Sequence, residues 1–261
     1  MRKILLFKIL RDAYKLFDRC WPSVLAAAML SIGLVNIITL IIRLTFPLST
    51  ILVLTTETGL LRLTYNDLIE IIAFFMVNVW FNGFLALVAL SDHKNESINF
   101  IRTVTRSTVL YPKLLLVNVA AMIMIYLSLI AASPVLSLGM LGTLMVIPAI
   151  VFAVWFSLVS PVAAIDDIKG VGRILARSRL LVYGNFWTML AVIAIAFIPP
   201  LMIAGIRTNT IFFWPIIIFV NIASSIIGST LTASAYINLR LAKGEKIIDS
   251  EQKIADEPLG P

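Results

Sequence analysis

The chain has 261 residues, of which 60% are hydrophobic and only 13% charged, with a net charge of +7 and a mean hydropathy of +1.01. Soluble globular domains carry about 25% charged residues, so this composition excludes a water-soluble enzyme, a disordered chain and an ordinary nucleic-acid binder. It fits an integral membrane protein, and the length accommodates about six spans of ~20 residues with short connections.

The first twenty residues, MRKILLFKILRDAYKLFDRC, are basic at the front. Lys8 and Arg11 interrupt the apolar stretch and no small-residue cleavage site follows, so a signal peptide is not expected. Lys8, Arg11, Asp12, Lys15, Asp18 and Arg19 recur at helical spacing, with Leu6, Phe7, Ile9, Leu10, Ala13, Tyr14, Leu16 and Phe17 between them. This pattern predicts an amphipathic helix over 1–20 lying in the membrane interface. Six apolar stretches follow, at about 21–42, 68–90, 114–132, 138–165, 186–206 and 211–237. Together they define a six-span domain over 21–240, and 241–261 reads as a polar cytoplasmic tail.

Of the 21 lysines and arginines, all but Arg43, Arg62 and Arg207 fall in the N-terminus, the 91–113 and 166–185 connections, and the tail. Basic residues are retained on the cytoplasmic side. Both termini are therefore expected in the cytoplasm of a multi-pass protein of the cell membrane. On that topology Cys20 is expected to resist an impermeant thiol reagent. The longest outer connection, 46–66, is rich in Thr and Leu with little charge, and is expected to pack at the interface.

Two cytoplasmic segments match without gaps at an offset of 71. Arg102, Arg106, Ser107 and Leu110 correspond to Arg173, Arg177, Ser178 and Leu181. Each segment leads into a span, and Arg11 and Lys15 repeat the spacing before the first span. The chain thus reads as repeated units of an interfacial helix and a transmembrane hairpin. Arg102, Arg106, Arg173 and Arg177 are the candidate contacts to anionic headgroups or to a partner, because a guanidinium fork suits phosphate.

Within the second span Glu70, Asn78 and Asn82 share one broad helical face, and Asn36, Asn118 and Asn221 add amides elsewhere. Intramembrane polar groups are costly without partners. They predict either helix-to-helix hydrogen bonds or a polar path. Ser224, Gly228 and Thr232 recur every four residues in the sixth span, beside a second ridge of Ser225, Ser229 and Ala233. Small residues at this spacing predict close helix packing. Pro148 and Pro199–Pro200 are expected to kink the fourth and fifth spans.

Catalytic and metal chemistry is not expected. His93 and Cys20 are single examples of their types, which gives no metal-ligand set and no disulfide framework. Asp166–Asp167 is expected to favour a helix N-terminal dipole. Gly170–Val171–Gly172 lacks the rest of a phosphate loop. No cofactor is implied.

The stretch WFSLVSPVAAIDDIKGVGRILARSRLLVYGNFWTMLAV from Trp155, with Ser160–Pro161–Val162, the acidic pair and Arg177–Ser178, carries a family resemblance. So does the closing Ala235–Tyr236–Ile237–Asn238–Leu239–Arg240. These resemble the membrane domain attached to some glycerophosphoryl diester phosphodiesterases and its stand-alone multi-span relatives. The resemblance covers about the last 110 residues. It implies a helical membrane architecture in which catalysis belongs to a separate soluble barrel, and no catalytic residue carries over.

The expectation is an all-α, six-span membrane protein with amphipathic interfacial helices and a non-enzymatic, membrane-organising or lipid-associated role. Its partners would be the bilayer, anionic headgroups above all, and a second copy or another membrane protein, with no nucleic acid. The rival reading is the permease subunit of an ABC-type exporter working with a separate ATPase.

Overall fold

The computed structural model describes residues 4–45, 50–56, 59–136, 146–204 and 214–245. Helix α1 (Leu6–Thr45) continues for 40 residues through Pro22. At 1.5 Å per residue it is about 60 Å long, roughly twice the hydrocarbon thickness of a bilayer. The expected boundary near residue 20 is therefore not a break, and the amphipathic segment and first span form one helix.

A short antiparallel ribbon follows, β1 (Thr50–Thr56) and β2 (Gly59–Thr64), with Leu54 opposite Leu61 and Thr56 opposite Gly59. Threonine and branched aliphatic residues suit a pleated ribbon, so the two described strands of the outer connection are hydrogen-bonded to each other. Helix α2 (Tyr65–His93) returns across the bundle. Asn95, at a φ of 56°, turns the chain. Asn99 Oδ1 then accepts from the Arg102 amide at 3.1 Å and caps helix α3 (Phe100–Leu136). The amphipathic segment 100–113 and the third span are thus also one helix.

The described part of the fourth span is two helices, α4 (Ile147–Phe156) and α5 (Val159–Ile165), parted by a turn at Ser157–Leu158. Helices α6 (Val171–Val182) and α7 (Phe186–Ala204) meet at 103°. Gly184, at a φ of 89°, supplies the left-handed residue at that corner. Helix α8 (Trp214–Ala242) closes the bundle.

By length and composition, four stretches among the described residues are able to cross a membrane: Leu6–Ile38, Ile71–His93, Phe100–Ser128 and Ile147–Ile165. A fifth is added if α6 and the following Phe186–Ala196 form one broken span. Four to five spans are thus supported among the described residues, against the six expected. The expected sixth span falls on α8, and its first residues, 211–213, lie outside the described residues.

Two surfaces of opposite character result. Ile37, Leu40, Ile71, Phe74, Leu116, Ile123 and Leu127 are exposed, giving α1, α2 and α3 an apolar exterior. A bilayer solvates such a surface, and water does not. The core gathers at the other end, where Ile9, Phe84, Leu85, Leu114, Leu158, Ile174, Tyr236 and Leu239 are fully buried. The start of the chain crosses this end. Ile4 N donates to Asn185 Oδ1, and Ile4 O accepts from Thr188, both near the start of α7. Ile9 O then accepts from Ser234, and Asp12 accepts from Asn238 at 3.0 Å, near the end of α8. Arg19 finally pairs with Asp92 at the end of α2. In sequence order, residues 4–19 pass the ends of three helices.

The two segments at an offset of 71 share a burial pattern. Arg102 and Arg173 are exposed, Thr103 and Ile174 buried, and Arg106 and Arg177 half-buried. Ser107 and Ser178 are completely buried, and Val109 and Leu180 exposed. They diverge afterwards: α3 continues through Pro112–Lys113, whereas the chain turns at the matching Tyr183–Gly184.

Candidate functional site

Helix α5 is buried along its whole length and ends at Asp166, whose backbone is extended (φ −80°, ψ 133°). The Asp166 side chain is 8% exposed, so its carboxylate must find partners inside the protein. Oδ1 accepts from the Tyr236 hydroxyl at 2.6 Å and from Arg240 Nη1 at 2.8 Å. Oδ2 accepts from Arg177 Nε at 3.5 Å. Arg240 Nη1 also donates to the Tyr236 oxygen at 2.9 Å, as four-residue spacing on one helix allows. Lys113 Nζ of α3 donates to the Asp166 carbonyl at 3.3 Å.

A second carboxylate closes this network. Glu245 Oε2 accepts from Arg240 Nε at 3.1 Å and from Arg177 Nη2. Its position follows from the end of α8. Gly244, at a φ of 73°, turns the chain, and its amide donates to Leu241 O while the Glu245 amide donates to Arg240 O. This pair of bonds is a Schellman cap, and glycine suits its left-handed residue. Burial alone would raise the Glu245 carboxyl, but the hydrogen bonds and charges of Arg177 and Arg240 outweigh it and hold the group below its usual range. Burial, with the nearby Arg177 charge, pushes the Lys243 ammonium below its usual range, against the pull of Glu245.

The expected role of Asp166–Asp167 is corrected here. Asp166 ends a helix instead of starting one, and it is the anchor of an ion network linking α3, α5, α6 and α8. Sequence reasoning picked out Arg177, Tyr236 and Arg240 separately and missed their shared carboxylate. The signal was present: an aspartate directly after a wholly apolar run, with arginines left over on two other segments.

The four candidate arginines do not converge. Arg177 is committed to Asp166 and Glu245, and Arg173 is exposed. Arg102 and Arg106, with Lys94, line a cavity of about 360 Å³ at the turn between α2 and α3. Asn99, Thr103, Ser91 and Ser97 add polar groups there, Leu87 and Leu90 an apolar wall, and Glu96 the acidic side chain. Lys94 and Glu96 stand 3.8 Å apart. A second cavity of about 310 Å³ lies between α1, α2 and α8, with Lys8, Lys15 and Arg19 facing Asp12 and Asp92. The solitary His93 borders this second cavity.

The intramembrane amides form a ladder. Ser225 Oγ donates to Asn78 Oδ1 at 3.0 Å and Ser229 Oγ to Asn82 Oδ1 at 2.6 Å. Both pairs have the same separation of 147 residues, so α2 and α8 run parallel there. Asn82 Nδ2 donates back to Asn78 O at 2.9 Å. The Glu70 side chain lies outside the described residues, as does that of Asn221. The Ser224–Gly228–Thr232 ridge points elsewhere. A Cβ on Gly228 would lie 3.2 Å from the Ala196 methyl of α7, and Thr232 donates to Gly228 O and Ser229 O in its own helix. Among the described residues, Ser224 Oγ is buried without a hydrogen-bond partner. Elsewhere, Ser160 Oγ donates to Asn118 Oδ1 at 3.1 Å.

Among the described residues, no cluster of His, Cys, Asp or Glu is placed to hold a metal ion. No family model matches the chain, and no curated protein or solved structure is similar to it beyond chance.

Proposed function

We propose that this is a non-enzymatic, multi-pass protein of the cell membrane, with both termini cytoplasmic, that holds anionic lipid headgroups and organises the bilayer around its bundle. The observation that carries this reading is the cavity where Lys94, Arg102 and Arg106 meet beside the apolar α2–α3 turn. Arginine offers a phosphate two parallel N–H donors, and each basic residue near an anionic surface contributes about 1 kcal/mol. The resemblance to phosphodiesterase-attached membrane domains agrees with a chain that leaves catalysis to others. The matching burial of 102–109 and 173–180 supports two copies of one unit, the first keeping its basic helix straight and the second bending it.

The test is native mass spectrometry of protein extracted in mild detergent. The R102Q/R106Q pair is expected to retain at least about fivefold less anionic lipid, by the loss of roughly 1 kcal/mol or more. Unchanged retention would overturn the proposal. The exporter-subunit reading draws on one observation, the α6 helix set at 103° to α7 with Arg173, Arg179 and Leu180 exposed. An ATPase recovered at equal stoichiometry in the same purification would replace the lipid reading with that one.

A further inference from the structure

Lys8, Asp12 and Lys15 lie on one face of α1, with the aspartate one helical turn from each lysine. Such spacing usually pairs the charges within the helix. Here Asp12 Oδ2 accepts instead from Asn238 Nδ2 of α8, at 3.0 Å. Among the described residues Lys8 and Lys15 have no counter-ion, and Asp12 Oδ1 accepts from no donor. All three side chains line the cavity of about 310 Å³ between α1, α2 and α8.

Two cross-links hold the walls of that cavity. Asp12–Asn238 ties α1 to α8, and Arg19–Asp92 ties α1 to α2. A ligand that fits finds its contacts already assembled, which lowers the ordering cost of binding. The lining sets Lys8, Lys15 and Arg19 against Asp12 and Asp92. Arg19 is matched by Asp92, and Asp12 offsets only one of the two lysines. One formal positive charge is left over, so a singly charged anion balances the cavity.

Asp12 restricts what that anion can be. A bare phosphate drawn to Lys8 and Lys15 would face the Asp12 carboxylate, one acceptor against another. A hydroxyl carried beside the phosphate turns that repulsion into a charge-assisted hydrogen bond. We propose that this cavity is a second binding site, for a singly charged phosphodiester whose alcohol part carries a hydroxyl. Lys8 and Lys15 hold the phosphate, and Asp12 Oδ1 accepts from the hydroxyl. A phosphoglycerol group is the simplest example, as a lipid headgroup or as a free diester. The cavity shares no lining residue with the one at Lys94, Arg102 and Arg106, so either site can fail without the other.

The experiment pairs probes of equal charge that differ in the hydroxyls. One arm uses phosphatidylcholine nanodiscs containing either phosphatidylglycerol or phosphatidylmethanol, and counts the anionic lipid retained by the full-length chain. The other titrates methyl glyceryl phosphate or dimethyl phosphate onto the detergent-solubilised chain. The hydroxylated probe is expected to bind about tenfold more tightly in at least one arm, and D12A is expected to erase that preference. K8Q/K15Q, which alters two exposed side chains and so leaves the fold intact, is expected to weaken the hydroxylated probe at least about fivefold. The same loss is expected in the R102Q/R106Q background. A preference in nanodiscs alone assigns a lipid headgroup, and one in solution alone assigns a free diester. Equal binding of the paired probes in both arms overturns the proposal. So does K8Q/K15Q without effect, or a loss that vanishes in the R102Q/R106Q background.

Discussion

Ser229 Oγ donates to Asn82 Oδ1 at 2.6 Å, and one turn earlier on both helices Ser225 Oγ donates to Asn78 Oδ1 at 3.0 Å. The two bonds fix both the register and the direction of α2 against α8. The Asn82 amide also donates from Nδ2 to the backbone carbonyl of Asn78 in its own helix, so the ladder gives helix adhesion. Hydrogen bonds of this kind are worth about 0.6–2 kcal/mol in membrane proteins. A double-mutant cycle with N82A and S229A is expected to give a coupling of about 1 kcal/mol by unfolding in detergent micelles. Zero coupling, with both single variants destabilised, would show that the pair does not interact.

Asp166 is the linchpin at the other end. Y236F removes a hydroxyl that both donates to Asp166 and accepts from Arg240, and is expected to cost about 1–3 kcal/mol. D166N leaves Arg240, whose side chain is 10% exposed, without its buried counter-charge. That change is expected to cost about 3–5 kcal/mol. Thermal melts in one detergent give the order: D166N lower than Y236F, and Y236F lower than the wild type.

The Glu245 latch gives a pH dependence with a definite sign. Its carboxyl lies below its usual range in the folded protein, through Arg177 and Arg240 acting against burial. Its stabilisation is therefore complete above the unfolded value, about 4.3, and is lost as the pH falls through the folded value. The melting difference between wild type and E245Q should be constant from about pH 7 to 5.5 and shrink on acidification below that. A gap that widens toward acid would contradict the assignment. G244A forces an alanine into a left-handed turn (φ 73°) at a cost of about 1–2 kcal/mol, and should weaken the same latch without touching its charges.

The architecture was legible in the sequence to the extent that hydropathy and period carry it. Among the described residues the apolar stretches fall on helices, long ones except in the fourth, and the basic residues before the third and fifth spans lie on amphipathic helical segments. What hydropathy cannot encode is continuity. Nothing in the pattern distinguishes Pro112–Lys113, where the helix runs on, from Tyr183–Gly184, where it turns, except a glycine able to take a positive φ. The polar residues of α2 and α8 were visible singly, but their pairing depends on which helices become neighbours. The Asp166 network was hidden for the same reason, since Asp166 and Glu245 are 79 positions apart in the chain and Lys113 lies 53 before Asp166. The β-ribbon was missed because a Thr–Leu mixture reads equally as an apolar loop.

Gly83 makes a sharper packing test than the ridge on α8. A Cβ there would run into Leu114 Cδ1, and Leu114 is completely buried. G83A is therefore expected to cost about 1–3 kcal/mol by overpacking. L114V, which lacks the offending methyl, should recover part of that loss in the G83A background while destabilising the wild type. A rescue by L114V identifies the α2–α3 contact, and additive losses would rule it out.

Orientation calls for a reporter other than Cys20. That thiol is 2% exposed, so its resistance to an impermeant reagent would follow from burial on either side of the membrane. Ser97 lies exposed on the turn between α2 and α3, and Thr45 lies exposed at the far end of α1. In a Cys20→Ala background, S97C is expected to label only after the membrane is permeabilised, and T45C in intact cells. The expectation rests on basic residues staying in the cytoplasm, where Lys94, Arg102 and Arg106 flank the first site and Arg43 alone precedes the second. Cysteine labelling reads each side independently. Reversal at both sites would invert the protein and remove its basic cavity from the cytoplasmic leaflet. Labelling of both from one side would instead mean that α1 or α2 does not cross.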